Sequence, residues 1–194
     1  MTPRKEPERT DDGHYIIVNG RKWRATDPNI PPNLESELVA ELMNARRAVK
    51  EQGDAARFRV QDAKVALGER GEKWWEPTDE GVAARIAAAI RTLLRKRDEG
   101  KTICPSDAAR VAGSGTGAGG ENGDGEGGWR NYMDLARSVA ADMATTGEII
   151  VMQSGEPIPD GTRLQDISGP IRLARGPKFR IYPCGKRSPE RGES

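Results

Sequence analysis

Histidine occurs once in this 194-residue sequence, at His14, and cysteine only twice, at Cys104 and Cys184. A single histidine excludes a His-based catalytic triad or a multi-His metal site within one chain. The two cysteines lie far apart with no CxxC spacing, which points to free thiols in a reducing compartment and against a structural disulfide. Long apolar runs are missing too. None approaches the roughly 20 residues needed to cross a bilayer, and Met1 to Gly13 is almost wholly polar, so neither a membrane span nor an export leader is expected. Apolar residues make up 35% of the chain against 31% charged, which is lean for one large core and favours small modules joined by loops and tails. The expectation is a cytoplasmic protein that needs no cofactor or metal.

A basic excess is also absent where nucleic-acid binding would call for one. Residues 1–78, 79–176 and 177–194 carry net charges of 0, −2 and +3, whereas phosphate contacts usually announce themselves as a surplus of Lys and Arg. Three of the acids in the middle segment, Glu121, Asp124 and Glu126, fall in a glycine-rich insert that need not face a ligand.

What is present is local patterning. The polar segment 1–13 reads as a disordered tail. His14 to Val18 and Arg21 to Ala25 flank Asn19-Gly20, the pair suited to a type I′ turn because both central residues need positive φ. A two-residue loop pairs Ile16 with Trp23 and Val18 with Arg21. Ile16, Val18 and Trp23 then share one face that wants cover, and a helix starting near Asn33, with Leu34, Leu38, Leu42, Ala45 and Val49 in a stripe, is placed to supply it. A second helix follows Gly53-Asp54 with Ala56, Val60, Ala63 and Leu67 in line, and Trp74-Trp75 precede Pro77, the boundary of a 14–78 module.

From 79 to 176 the pattern changes. Val82, Ile86, Ile90, Leu93 and Leu94 keep helical spacing through an alanine-rich stretch, and Arg95-Lys96-Arg97 suit the negative end of that helix. Pro105 opens a short helix that Gly113 stops, residues 113–128 form a mobile linker, and a third helix runs from Trp129 to Thr146 with Tyr132, Ala136, Val139 and Met143 inward. Glu148 to Gln153 and Pro170 to Arg175 read as paired strands, with the excursion from Ile158 to Gly169 as a wing tip. Three helices and a ribbon in this order describe a winged helix, so the predicted class is α+β: a helix-turn-helix with a β-ribbon wing, preceded by a small hairpin and two-helix module. Residues 177–194 read as a basic, disordered tail in which Lys178, Arg180, Lys186 and Arg187 form a candidate phosphate-contacting arm.

Lys101-Thr102-Ile103-Cys104-Pro105-Ser106-Asp107-Ala108-Ala109-Arg110, Trp129-Arg130-Asn131-Tyr132-Met133, Gly147-Glu148-Ile149 and Gly169-Pro170-Ile171-Arg172-Leu173 follow in an order that resembles a bacterial winged-helix-like domain of unknown function, family three-two-five-three, over residues 82–175. Trp23 to Pro28, Ala45 to Val49 and Asp62 to Gly71, up to Trp74-Trp75, are similar to a segment of small, uncharacterised actinobacterial proteins, some of which carry a biopolymer-transport label. The resemblance implies a fold and supplies no activity or site.

Candidate chemistry is thin. Gly115-x-Gly117-x-x-Gly120 matches the dinucleotide fingerprint as a string, but it follows a helix where that site needs a strand, and a flexible linker explains it better. Asn122-x-Asp124-x-Glu126 opens like a calcium loop, yet Met133 stands where the bidentate Glu belongs. Cys104 at a helix N-terminus reads either as a thiol of lowered pKa or as a small packing residue. With no base placed beside a nucleophile, catalysis is not expected.

Two function classes follow. In the leading one the chain is a non-catalytic regulator binding duplex DNA, with Arg130, Asn131, Arg137 and Ser138 on the third helix, Lys101, Thr102, Ser106 and Arg110 fixing register on phosphates, and Arg172 in the wing beside Arg163 and Arg175. In the alternative it is a protein-interaction scaffold whose winged helix packs on the N-terminal module or on a partner protein, with Trp74 and Trp75 as anchor. An ordinary solvated face accounts for the same residue types, which is why the placement of each side chain decides.

Overall fold

The computed structural model describes residues 7–113, 128–159 and 161–181. Strands β1 (Glu8–Arg9), β2 (Tyr15–Val18) and β3 (Arg21–Arg24) form an antiparallel sheet. Its hairpin has the expected register, Ile16 opposite Trp23 and Val18 opposite Arg21, with Asn19 and Gly20 at φ of +50° and +72° as a type I′ turn requires. β1 corrects the reading of 1–13 as a tail: Glu8 pairs with Ile17 and Arg9 with Ile16. The His14 carbonyl accepts from Ala25 N–H, and the Tyr15 carbonyl accepts from Thr10 N–H, which carries the sheet's hydrogen bonding past the hairpin.

Helix α1 (Pro32–Gln52) begins with proline in its first turn, where no amide hydrogen is needed. Leu34, Leu38, Leu42, Ala45 and Ala48 are buried along its inner face. A 3-10 turn over Gly53–Ala56 leads into α2 (Arg57–Ala66), and the two helices pack as a hairpin with Ala56, Ala63 and Leu67 buried. The expected lid does not form: α1 leaves the Ile16/Val18/Trp23 face open, with Val18 39% and Trp23 46% exposed. The hairpin docks instead on the loop after α2. Asp27 N–H donates to the Leu67 carbonyl, Arg24 donates to the carbonyls of Gly71 and Glu72 at 2.8 and 2.9 Å, and Tyr15 meets Trp75 edge-on.

Helix α3 (Asp79–Lys96) is the centre of the molecule. Thr78 caps it by accepting from Gly81 N–H, and Asp79 and Glu80 complement its positive end. Val82, Ile86, Ile90, Leu93 and Leu94 are buried as their spacing predicts, and α3 packs against α1, α2, α4 (Pro105–Ala112) and α5 (Met133–Thr145). One hydrophobic cluster runs from Ile30 and Leu34 through α3 to Val151, Ile171 and Leu173. The third helix of the sequence reading is a 3-10 turn, Trp129–Tyr132, followed by α5, which Gly147 ends at φ +78°. The glycine-rich stretch 114–127 lies outside the described residues.

The C-terminal sheet has the order β5-β4-β6, with β4 (Ile149–Gln153) central between β5 (Glu156–Pro157) and β6 (Arg172–Arg175). Ile103, just before α4, adds a bridge to Leu173 through reciprocal hydrogen bonds of 3.0 and 2.9 Å. The predicted wing tip does not project. Ser154-Gly155 turn the chain directly into β5, and the segment beyond folds back on α5 with Leu164 buried and Ile158 and Ile167 packed against the core. Burying three apolar side chains outweighs leaving them on a loop in water. The tail reading of 177–194 is likewise corrected at its start. Lys178 N–H donates to the Gly147 carbonyl, and Phe179 packs on the core. Lys186 and Arg187 lie outside the described residues. No helix among the described residues is long and apolar enough to cross a membrane.

Candidate interaction surfaces

The residues expected to meet DNA divide into two groups. Arg110, from the end of α4, and Arg130, from the 3-10 turn, both lie over the ring of Trp129, at 4.3 and 4.7 Å from its centre. Asn131 and Ser138 are exposed, Asn131 in the same 3-10 turn as Arg130 and Ser138 on α5. Arg137 is not available to this surface. Its guanidinium donates to the carbonyls of Leu164, Ile167 and Gly169 at 3.0, 3.1 and 3.0 Å, so it fastens the 158–169 segment to α5. Lys101 is exposed and Thr102 half-buried next to the Ile103 bridge, and Ser106 donates to Cys104 Sγ at 2.9 Å. Arg172 is exposed on β6 and Arg163 on the preceding loop. Arg175 is absorbed elsewhere: its guanidinium donates to the Leu94, Arg95 and Arg97 carbonyls, closing the C-terminus of α3. The solvent face of α5 also carries Asp134 and Asp142, whose charge opposes phosphate.

Four arginines of α3 and its exit, which composition alone assigns to the helix dipole or to solvent, each find a carboxylate on a different element. Arg85 bonds to the buried Asp27 at 2.8 Å and to the Ala66 carbonyl at 3.0 Å. Asp27 also accepts from the Asn29 backbone and side chain. Burial pushes the Arg85 guanidinium below the ordinary arginine range, and Asp27 opposes that shift. Arg91 grips Glu148 with two bonds of 2.6 and 2.9 Å, which raises its pKa against the effect of partial burial. Arg95 pairs with Asp62 of α2 at 2.7 Å, donates to the Arg180 carbonyl, and lies between the rings of Phe58 and Phe179. Burial lowers its pKa, with Asp62 pulling the other way. Arg97 pairs with Glu37 of α1. Three of these four pairs join α3 to residues before Pro77. The signal was present as arginines bordering the apolar stripe of an amphipathic helix, but their partners lie 33 to 60 positions away, beyond the reach of local pattern.

Trp74 and Trp75 form an anchor within the chain. Trp74 is buried, donates its indole N–H to the Ala25 carbonyl at 3.3 Å and meets Trp75 edge-on at 5.1 Å. Trp75 stacks on His14 with centroids 3.9 Å apart and planes within 4°. Gly68, at φ +78°, leaves room for this arrangement, since a Cβ there would lie 2.8 Å from Trp74 Cδ1. Below Trp74 a cavity of about 240 Å³ is bordered by Arg70, Val82 and Arg85.

Among the described residues, the outer face of the N-terminal sheet also leaves a large aromatic ring exposed, Trp23. Trp23, Val18 and Ile16 lie on it by register, Arg21 sits over the Trp23 ring at 5.0 Å, and exposed Arg9 is paired with Ile16 on the same side. Among the described residues no group of three His, Cys, Asp or Glu side chains is placed to hold a metal ion.

Residues 83–176, from α3 to the end of β6, match a family described as a protein of unknown function (DUF3253). No curated protein matches the chain.

Proposed function

We propose that the protein is a cytoplasmic, non-catalytic interaction protein in which the C-terminal domain is a platform that carries the N-terminal module. The observation that carries this reading is the set of α3 arginines: Arg85, Arg95 and Arg97 are committed to Asp27, Asp62 and Glu37, all in the N-terminal module. Breaking a buried pair such as Arg85–Asp27 or Arg95–Asp62 by removing one partner costs about 3–5 kcal/mol, so these contacts act as structural joints and leave little of α3 to meet a ligand. The domain supports a winged-helix description through its order of α3, the Ile103 bridge, α4, α5, β4 and β6. In this use its third helix is covered in part by its own 158–169 segment.

A second reading rests on a separate observation. Arg110 and Arg130 converge on Trp129 at the entrance to α5, and Asn131 and Ser138 are exposed, a composition suited to phosphate and base edges of duplex DNA. One titration separates the two. Full-length protein is added to a fluorescent mixed-sequence DNA duplex at low and at near-physiological salt. The platform reading expects no binding that depends on Arg110 and Arg130. Salt-sensitive binding that is lost in the Arg110→Ala/Arg130→Ala variant would overturn it in favour of DNA recognition.

A further inference from the structure

We infer that the outer face of the N-terminal sheet binds single-stranded RNA, with Trp23 as the base-stacking platform and Arg9 and Arg21 as phosphate contacts. The inference rests on the platform reading, since it names the partner of the module that the C-terminal domain carries.

Three observations support it. Trp23 is 46% exposed although it sits in the middle of a strand, and Val18 beside it is 39% exposed. A large ring left in water on a sheet is costly unless something covers it. The charged strand residues on the Trp23 face are both cationic: Arg21, opposite Val18 and 5.0 Å over the ring, and exposed Arg9, which β1 brings to the same face opposite Ile16. The dimensions also fit. A four-residue strand spans about 13 Å, room for two or three stacked bases.

Alternative occupants suit the face less well. A second copy would set Arg9 and Arg21 against their own equivalents, a like-charge contact in the middle of an apolar patch. A duplex hides its base faces in the stack, and its major groove admits a helix or a two-stranded ribbon, not the flat side of a three-stranded sheet. An unpaired strand offers what the surface lacks: flat rings for Trp23 and a regular row of negative charge for the arginines. Single-stranded segments with splayed bases are chiefly a property of RNA.

The test uses the full chain and a short fluorescein-labelled single strand of RNA of mixed sequence, followed by anisotropy at two salt concentrations. Trp23→Ala should weaken binding about 10-fold or more, Trp23→Phe should retain most of it, and both should melt at the wild-type temperature because the ring is not part of the core. Arg9→Ala/Arg21→Ala should lower the salt dependence, log K against log salt, by about 1.4, the value for two phosphate contacts on a single strand. The corresponding duplex should bind more weakly, and a DNA strand of the same sequence no more tightly. Unchanged affinity in Trp23→Ala would overturn the inference, as would a dimer in solution that this substitution dissociates. A tighter DNA strand would overturn the assignment to RNA. RNA binding lost in Arg110→Ala/Arg130→Ala and kept in Trp23→Ala would sink the platform reading with it, whereas no RNA binding together with no duplex binding would remove this inference alone.

Discussion

Arg137 shows how far a single side chain can depart from its place on a helical wheel. Its position on α5 puts it outside the apolar stripe, as the sequence indicates, but its guanidinium closes on three carbonyls 27 to 32 residues further along. No periodicity encodes a contact at that separation. Arg137→Met, which keeps the length and removes the donors, is expected to cost about 1.5–3 kcal/mol in urea unfolding, the range for hydrogen bonds to a charged group. Limited proteolysis should then cut the 158–169 segment first, and an uncut segment would show that Leu164 and Ile167 hold it without the arginine. Asp27 makes the same point from the acidic side. Residue 27 reads from sequence as part of an Asp-Pro chain break, yet it is fully buried against Arg85. Asp27→Ala should destabilise by about 3–5 kcal/mol by leaving a buried guanidinium without its counter-charge. A loss below 1 kcal/mol, roughly the worth of an exposed pair, would mean that water reaches Arg85.

Elements were legible where their cause is local. Asn19-Gly20 dictates the β2–β3 register, the leucine stripe dictates the inner face of α1, and Pro105 with Gly113 bounds α4. The elements that differ from expectation are those whose partners are distant. The Ile16/Val18/Trp23 stripe predicted a covering helix, but the hairpin docks by its other side: His14 and Tyr15 pack on Trp75, and Arg24 bonds to the Gly71 and Glu72 carbonyls. The N-terminus of α3 carries a testable case of this kind. Glu72 reaches it from the preceding loop and accepts from Thr78 N–H and Oγ1 at 3.1 and 2.8 Å. A Cβ on Gly81 would collide with Glu72 Oε2. Replacing a helical glycine by alanine ordinarily gains about 1 kcal/mol, but Gly81→Ala should gain nothing here, because it displaces this carboxylate. In a Glu72→Ala background the gain should return, and a double-mutant cycle in thermal unfolding measures the difference. Equal effects of Gly81→Ala in the two backgrounds would show that Glu72 shifts aside without losing its bonds.

At the scale of the molecule, composition suggested thin modules because it counts apolar residues without saying how they are shared. The cluster from Ile30 to Leu173 is continuous, and the charged residues that seemed to dilute it are spent in pairs along its border. Unfolding is therefore expected to be a single transition, with tryptophan emission, reporting mainly on Trp74 and Trp75, and far-UV circular dichroism giving the same midpoint. Two separated midpoints would show that the N-terminal helices leave first. The arginines of α3 also bear on how the region 83–176 can travel between proteins. A chain that has this region without the preceding helices has no Asp27, Glu37 or Asp62 to offer, so it is expected to hold neutral or shorter side chains where this one has Arg85, Arg95 and Arg97. A transplant of 83–176 alone would inherit three orphaned cations, and substituting those arginines is the repair that would make the piece portable.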